Sequence, residues 1–105
     1  MTFSVRLSRG ASDDLERLYD FLLERELASS TADWDAPERA LGAIREGLAL
    51  LERFPFTCRK AQTSPFLREL VIPFGRTGYV VLFEVVDHQL VEVAAVRHQR
   101  EDDYH

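Results

Sequence analysis

The sequence predicts an α+β domain in which one strand, two helices and three strands follow one another along the chain. Residues 3–7 alternate between apolar and polar side chains, which indicates a half-buried strand. Apolar residues then recur at spacings typical of helices between residues 9 and 54. Three further apolar runs, at 68–73, 78–86 and 90–98, are separated only by turns. We therefore expect a helical hairpin packed on a single layer of antiparallel sheet with four strands.

The composition fits one globular domain that covers residues 1–105. With 46% hydrophobic and 30% charged residues, the chain has enough apolar surface for one core and no room for two. The single cysteine excludes an internal disulfide, and with three scattered histidines it assembles no metal cluster. No cofactor is indicated. No signal-peptide pattern opens the sequence and no apolar run is long enough to span a membrane, so we expect a cytoplasmic protein.

Helix signals bracket the first predicted helix, which runs to about Leu27. Ser8 is a suitable N-cap, and Asp13, Asp14 and Glu16 suit the positive end of the helix dipole. The apolar positions lie at three- and four-residue spacing, as expected for one buried face. They are Ala11, Leu15, Leu18, Tyr19, Leu22 and Leu23.

The second predicted helix opens at residues 35–38 and ends after Phe54, before Pro55. Asp35 as cap with Glu38 three positions on is typical of a capping box. The apolar face of this helix consists of Leu41, Ile44, Leu48 and Leu51.

The segment between the second helix and the meander has no hydrophobic period. Residues 56–67 are therefore predicted as a connecting loop, which holds Arg59 and Lys60, the only lysine. Residues 74–78 make the next turn, and residues 87–89 form a tight hairpin turn.

The charge balance argues against a general nucleic-acid binder, because the net charge is −5. The acidic excess is uneven along the chain. Residues 1–56 hold seven arginines against eleven acidic residues, whereas residues 57–100 hold six basic against four acidic residues. The second part is locally positive.

Basic residues at strand ends and turns are the candidate site of the sequence. If the meander gathers them on one surface, they could bind phosphate. They are Arg68, Arg76, Arg97, His98 and Arg100. The alternative is that they are surface charges paired with nearby acidic residues, namely Glu69, Glu84, Glu92 and Asp102.

The same basic residues could supply the side chains that metal-free RNA cleavage requires, namely a general base and a cation. His98 could act as general base while Arg97 or Arg100 stabilises charge on phosphorus. Tyr104 could transfer a second proton or stack on a base, or it could simply anchor the chain end.

Other single residues are more ambiguous. Lys60 could reach a phosphate, but a loop lysine is usually solvated. Arg59 and Lys60 could lower the pKa of Cys58, although no partner residues for nucleophilic catalysis accompany it, so a structural cysteine is favoured.

Trp34 lies in an acidic interhelix segment and, if exposed, hints at a partner surface. Four aromatic residues could form a binding platform or belong to the core, namely Phe66, Phe74, Tyr79 and Phe83.

Short motifs at residues 11–21, 50–55, 67–70, 78–83 and 96–98 together resemble the RelE/ParE toxin family of bacterial toxin–antitoxin systems. The motifs span nearly the whole chain in the family's order and spacing. The resemblance implies a compact toxin that a small antitoxin neutralises by wrapping a flexible tail around it, in a toxin–antitoxin hetero-oligomer.

Two activities are known in this family. RelE-like members cut mRNA on the ribosome, whereas ParE-like members resemble them in fold but poison DNA gyrase. RelE-like members carry an arginine directly after the tyrosine of the third strand, where this chain has Val80. The Arg97-His98 ending is also more similar to ParE.

The sequence therefore predicts a type II, plasmid-stabilisation-type toxin with a ParE-like action on DNA gyrase and no bond-breaking activity of its own. Its target-contacting face is expected to be Arg68, Arg76, Arg97, His98 and Arg100. The first alternative is a ribosome-dependent mRNA interferase that uses His98, Tyr104, Arg76 and Arg97. The second is a non-toxic protein-binding module of the same fold.

Overall fold

The computed structural model describes residues 2–62, 64–75 and 77–99, with only the backbone given for Thr77. Within these residues the elements are β1 (Ser4–Leu7), α1 (Arg9–Leu27), α2 (Ala36–Leu51), β2 (Arg59–Lys60), β3 (Arg68–Phe74), β4 (Thr77–Val85) and β5 (Leu90–His98). A short 3-10 helix, Pro55–Thr57, links α2 to β2. The α+β class and the order of strand, helical hairpin and meander are confirmed.

The sheet has the strand order β1-β5-β4-β3-β2 in the described part of the chain. Strands β3, β4 and β5 pair antiparallel as the predicted meander, and β1 lies parallel to β5 on the outside. The prediction of an antiparallel sheet with four strands was wrong in two respects, because β1 is parallel to β5 and the described sheet has a fifth strand. Arg59 and Lys60, in the predicted loop, pair with Glu69 and Arg68 as an edge strand. Two residues are too few to show an alternating pattern, so β2 could not be predicted from the sequence.

Helix α1 begins as its cap predicts. The Oγ atom of Ser8 accepts a hydrogen bond from the backbone N–H of Ala11 at 3.1 Å. The acidic residues play a different part, because none lies in the first turn, where the dipole acts. Instead, the carboxylate of Asp14 accepts the backbone N–H of Val96 in β5 at 2.9 Å, which ties the helix to the sheet.

Helix α2 begins without the predicted capping box. Asp35 occupies the N-cap position, but its side chain makes no capping hydrogen bond. Its own N–H donates to the carboxylate of Asp33, which also binds Arg39 at 2.6 Å. The helix ends at Leu51 rather than Phe54, because the chain turns into the 3-10 helix that opens with Pro55.

The main core lies between the two helices and one face of the sheet. Ile44 and Leu51 of α2 pack with Val81 and Phe83 of β4, all of them fully buried. Gly47 lets α2 approach the sheet closely, since a Cβ atom there would lie 2.4 Å from Cδ1 of Ile72. The opposite face carries a smaller cluster described below. The helices therefore cover only one face and leave the other available for contacts.

Candidate binding surfaces

The alternation of side chains along β4 divides the sheet into two faces. Tyr79, Val81 and Phe83 belong to the main core beneath the helices. Val80 and Leu82 point the other way and are 3% and 8% exposed, because Ala61 packs on them together with Leu67 and Ala95. We call this second surface the helix-free face. Its centre is apolar.

The structure separates Arg97 from His98. Val80 lies directly across from Arg97, and Tyr79 directly across from His98. Neighbouring residues of a strand point to opposite faces, so Arg97 lies on the helix-free face and His98 on the helix side. The His98 ring contacts Tyr79 edge to face, with 5.6 Å between ring centroids. The two residues therefore cannot act together on one substrate group at this surface.

Other charges on the helix-free face largely neutralise one another. Arg6 donates to Glu92 with 2.6 Å between Nη2 and Oε2, and Arg59 forms an ion pair with Glu69. Two of the glutamates named in the surface-charge alternative are thus paired, but with Arg6 and Arg59 rather than with the candidate basic residues. Arg97 also lies on this face, and it is exposed.

Arg68 lies away from Arg97, at the start of β3, two strands from β5. It pairs with Phe83, whereas Arg97 pairs with Val80, three positions away along β4. Its guanidinium donates to the backbone oxygen of Cys58 at 2.8 Å and lies 5.3 Å from the ring centroid of Phe56. The structure thus does not bring Arg68, Arg97 and His98 onto one surface. Arg76, Arg100 and Tyr104 lie outside the described residues, so their expected roles stay predictions.

Cys58 and Tyr79 hold their protons more tightly than usual. Burial raises the pKa of the Cys58 thiol above its ordinary value of 9.0, despite the opposing effects of Thr57 and Arg68. The alternative that Arg59 and Lys60 lower this pKa is not supported, because both side chains are exposed on β2 and the effect of burial is larger. Burial likewise raises the pKa of Tyr79 above 10.0, with Arg25 acting in the opposite direction. Neither shift is in the direction that activates a nucleophile or a base.

The four aromatic candidates do not form a platform. Tyr79 and Phe83 are 2% and 0% exposed and belong to the core, and Phe74 packs against Tyr79. Only Phe66 projects into solvent, at 75% exposed. Three exposed rings, those of Phe54, Phe56 and Phe66, instead lie in the segment before β3. The sequence interpretation passed over Phe54 and Phe56, although the run of basic residues around them was a readable signal.

A groove of about 400 Å³ runs between α1 and α2 on the side that faces solvent. Leu15, Tyr19 and Leu48 line it, with Ile44 at its base. Its charged members are Glu16, Asp20 and Arg45. Trp34, in the segment between the two helices, is 57% exposed, as its acidic surroundings suggested. The hairpin thus presents apolar surface of the kind that protein partners cover.

Two classes of site are not found in the described part of the chain. Across residues 2–62, 64–75 and 77–99, no three His, Cys, Asp or Glu side chains gather as a set of metal ligands. Within the same residues, neither helix is both long and apolar enough to cross a bilayer.

Two solved structures share this architecture. A chain from a structure titled chromosomal ParDE TA system from P. aeruginosa superposes with a TM-score of 0.72 at 17% identity, covering 92% of this chain and 96% of that one. A mutant of E. coli toxin RelE in the free state gives a TM-score of 0.59 at 16% identity, covering 98% and 90%. The two helices on a five-stranded sheet are therefore the RelE/ParE toxin fold.

Sequence comparisons are more specific. Toxin RelE1 of Caulobacter vibrioides is 30% identical over 86 residues, which cover 82% of this chain and 83% of that protein. The family described as ParE toxin of type II toxin-antitoxin system, parDE, matches residues 5–103. The chain belongs to this ParE toxin family, within the RelE/ParE superfamily of type II toxins.

Proposed function

We propose that this protein is a ParE-like toxin that acts on DNA gyrase without breaking bonds itself and is neutralised by a cognate antitoxin. The observation that carries the proposal is the composition of the helix-free face. Val80 is buried directly across from Arg97, where the resemblance gives RelE-like ribonucleases an arginine. A buried valine offers no charge to an anionic transition state.

The charges around Val80 support the same view. Arg6 and Arg59 are each held by a glutamate of this face, and the proton-transfer candidate His98 lies on the other side of the sheet. RNA binding depends on cations that are available to phosphates, and its affinity falls steeply with salt. A protein target requires fewer such cations, because apolar surface contributes to its binding.

Neutralisation by an antitoxin is supported by the groove between α1 and α2. The groove combines an apolar base with both acidic and basic members at its sides, a pattern that suits an amphipathic helix laid along it. The relatives whose titles name ParDE and RelE make a toxin–antitoxin complex the expected context for such a groove.

The test is a supercoiling and cleavage-complex assay with purified gyrase. We expect the wild-type protein to inhibit supercoiling and to trap cleaved DNA, and the variant Arg97→Glu to do so at higher concentration. Arg9→Glu is the matched control, because Arg9 is exposed on α1 and undergoes the same change of charge. Failure to trap cleaved DNA at concentrations that stop growth would contradict gyrase as the target. Cleavage of a defined mRNA in a translation reaction would favour the ribosome instead.

A further inference from the structure

A basic and aromatic segment runs along one edge of the sheet. Residues 53–68 contain four basic residues and no acidic residue, whereas the rest of the chain holds nine basic and eighteen acidic residues. Three phenylalanines of this 53–68 segment are exposed, namely Phe54 at 54%, Phe56 at 61% and Phe66 at 75%. So much exposed aromatic surface in a small domain indicates a contact site.

Phe56, Lys60 and Arg68 form the ordered centre of this surface. Phe56 packs edge to face on Phe3 with 6.0 Å between centroids, and the guanidinium of Arg68 lies over its ring. Lys60 lies directly across from Arg68 in the β2–β3 pair. Like charges placed opposite one another destabilise a sheet, and an acidic group bound between them would relieve the repulsion.

The backbone of Lys60 is also open to a partner. The N–H of Ala61 donates to the oxygen of Leu67 at 2.8 Å, which makes that pair hydrogen-bonded. Antiparallel pairs alternate, so the next pair, Lys60 and Arg68, is not hydrogen-bonded. The N–H and C=O of Lys60 therefore point outward from β2, which is an edge strand in the described part of the chain, and can pair with an added strand.

We propose that the β2 edge binds an extended, acidic peptide segment of a partner protein. The peptide's backbone pairs with Lys60, its carboxylates lie near Lys60 and Arg68, and its apolar side chains cover the exposed ring of Phe56. The proposal goes beyond the gyrase assignment and does not require the protein to be toxic.

A peptide fits this edge better than a single-stranded nucleic acid. Arg59 is neutralised by Glu69, which makes one cation of this edge unavailable to phosphates. The chain outside the 53–68 segment is strongly acidic and repels a polyanion, whereas a short peptide extends little beyond the basic patch. An open strand edge, moreover, is matched to a peptide backbone.

The experiment measures binding of a fluorescein-labelled peptide of alternating valine and glutamate, about eight residues long, to the purified chain. We expect saturable binding with a dissociation constant below about 1 mM, and protection of the Lys60 amide from hydrogen exchange in the complex. Lys60→Glu should weaken binding about ten-fold, while Arg9→Glu, an equal charge change on α1, leaves it unchanged.

Three results would overturn the proposal: the peptide does not bind, a lysine-for-glutamate version binds equally well, or the Lys60 amide exchanges as fast as in the free chain. Tighter binding of an oligothymidine of about twelve nucleotides, lost in Lys60→Glu, would assign the surface to nucleic acid instead. Wild-type amide exchange decides the question even if a variant folds poorly. None of these outcomes depends on gyrase inhibition, so the two proposals can fail separately.

Discussion

The ring of His98 meets the ring of Tyr79 at 89°, edge to face, on the helix side of the sheet. This contact fixes which way the end of β5 points. His98 packs over the aromatic end of the core, formed by Tyr79 and Phe74, while Arg97 projects from the helix-free face. Residues that are adjacent in sequence thus take part in different surfaces of the protein.

Alanine substitutions at these two positions should therefore have different effects. We expect His98→Ala to lower the free energy of unfolding by about 1 kcal/mol through the lost ring contact, without a matching loss of gyrase inhibition. Arg97→Ala should weaken inhibition and leave stability almost unchanged, because the side chain is exposed. Urea unfolding and the cleavage-complex assay measure the two effects. A His98→Ala protein that is as stable as the wild type but no longer inhibits gyrase would contradict a purely structural role for His98. So would a wild-type protein that cleaves mRNA and loses this activity in His98→Ala.

Asp14 of α1 forms a hydrogen bond with β5 just beyond the last residue of β5 that pairs with β1. Its carboxylate accepts the N–H of Val96 at 2.9 Å, and the side chain is 13% exposed. Because hydrogen bonds to charged acceptors are strong, we expect Asp14→Ala to lower the free energy of unfolding by about 1.5–3 kcal/mol. Asp13→Ala, an exposed neighbour on the same helix, should have little effect. Hydrogen exchange of the Val96 amide should accelerate only in the Asp14 variant, and equal rates in both would rule out this role.

The sequence was sufficient for the elements whose patterns are long. The period of α1 and its Ser8 cap were readable, as were the three strands of the meander, because each spans several repeats of its period. Strand β2 was not readable, since its two residues are held by pairing with β3 rather than by their own pattern. The predicted capping box does not form, because the N–H of Asp35 donates to Asp33, two residues upstream, rather than to Glu38.

The candidate site was less predictable for a different reason. Arg97 and His98 are adjacent residues of the predicted strand β5. Because successive side chains of a strand point to opposite faces, that prediction already implies that the two residues lie on different surfaces. The bond from Val96 to Asp14 joins residues 82 positions apart, and no local pattern encodes such a contact. The outward direction of Lys60 required the register of β2, which only the structure supplies.

The thiol of Cys58 should react slowly near neutral pH. Its pKa is raised by burial above 9.0, so the thiolate is scarce at pH 8. Since Cys58 is the sole cysteine, the rate of alkylation by iodoacetamide against pH reports this group alone. We expect the midpoint to lie at higher pH in the folded chain than after unfolding in urea. A folded midpoint below the unfolded one would show that the nearby cations dominate.

The same shift links Cys58 to stability with a definite sign. The folded chain binds the proton more tightly than the unfolded chain. The stabilisation is therefore fully present below the unfolded pKa and is lost as the pH rises through the folded pKa. Above neutral pH, the free energy of unfolding should change less with pH in Cys58→Ala than in the wild-type protein.

Two glycines of α2 provide a matched test of how closely the helix approaches the sheet. An added Cβ atom at Gly47 would lie 2.4 Å from Cδ1 and 2.8 Å from Cγ1 of Ile72, whereas one at Gly42 would meet nothing within 4 Å. Alanine is the better helix former by about 1 kcal/mol, so Gly42→Ala should stabilise the protein by up to that amount. At Gly47 the same gain is opposed by overpacking, which typically costs about 1–3 kcal/mol, and we expect net destabilisation. Urea unfolding of both variants gives the comparison. Adding Ile72→Val, which removes Cδ1, should recover part of the loss in Gly47→Ala, and a double variant no more stable than Gly47→Ala would mean that the helix had instead moved away from β3.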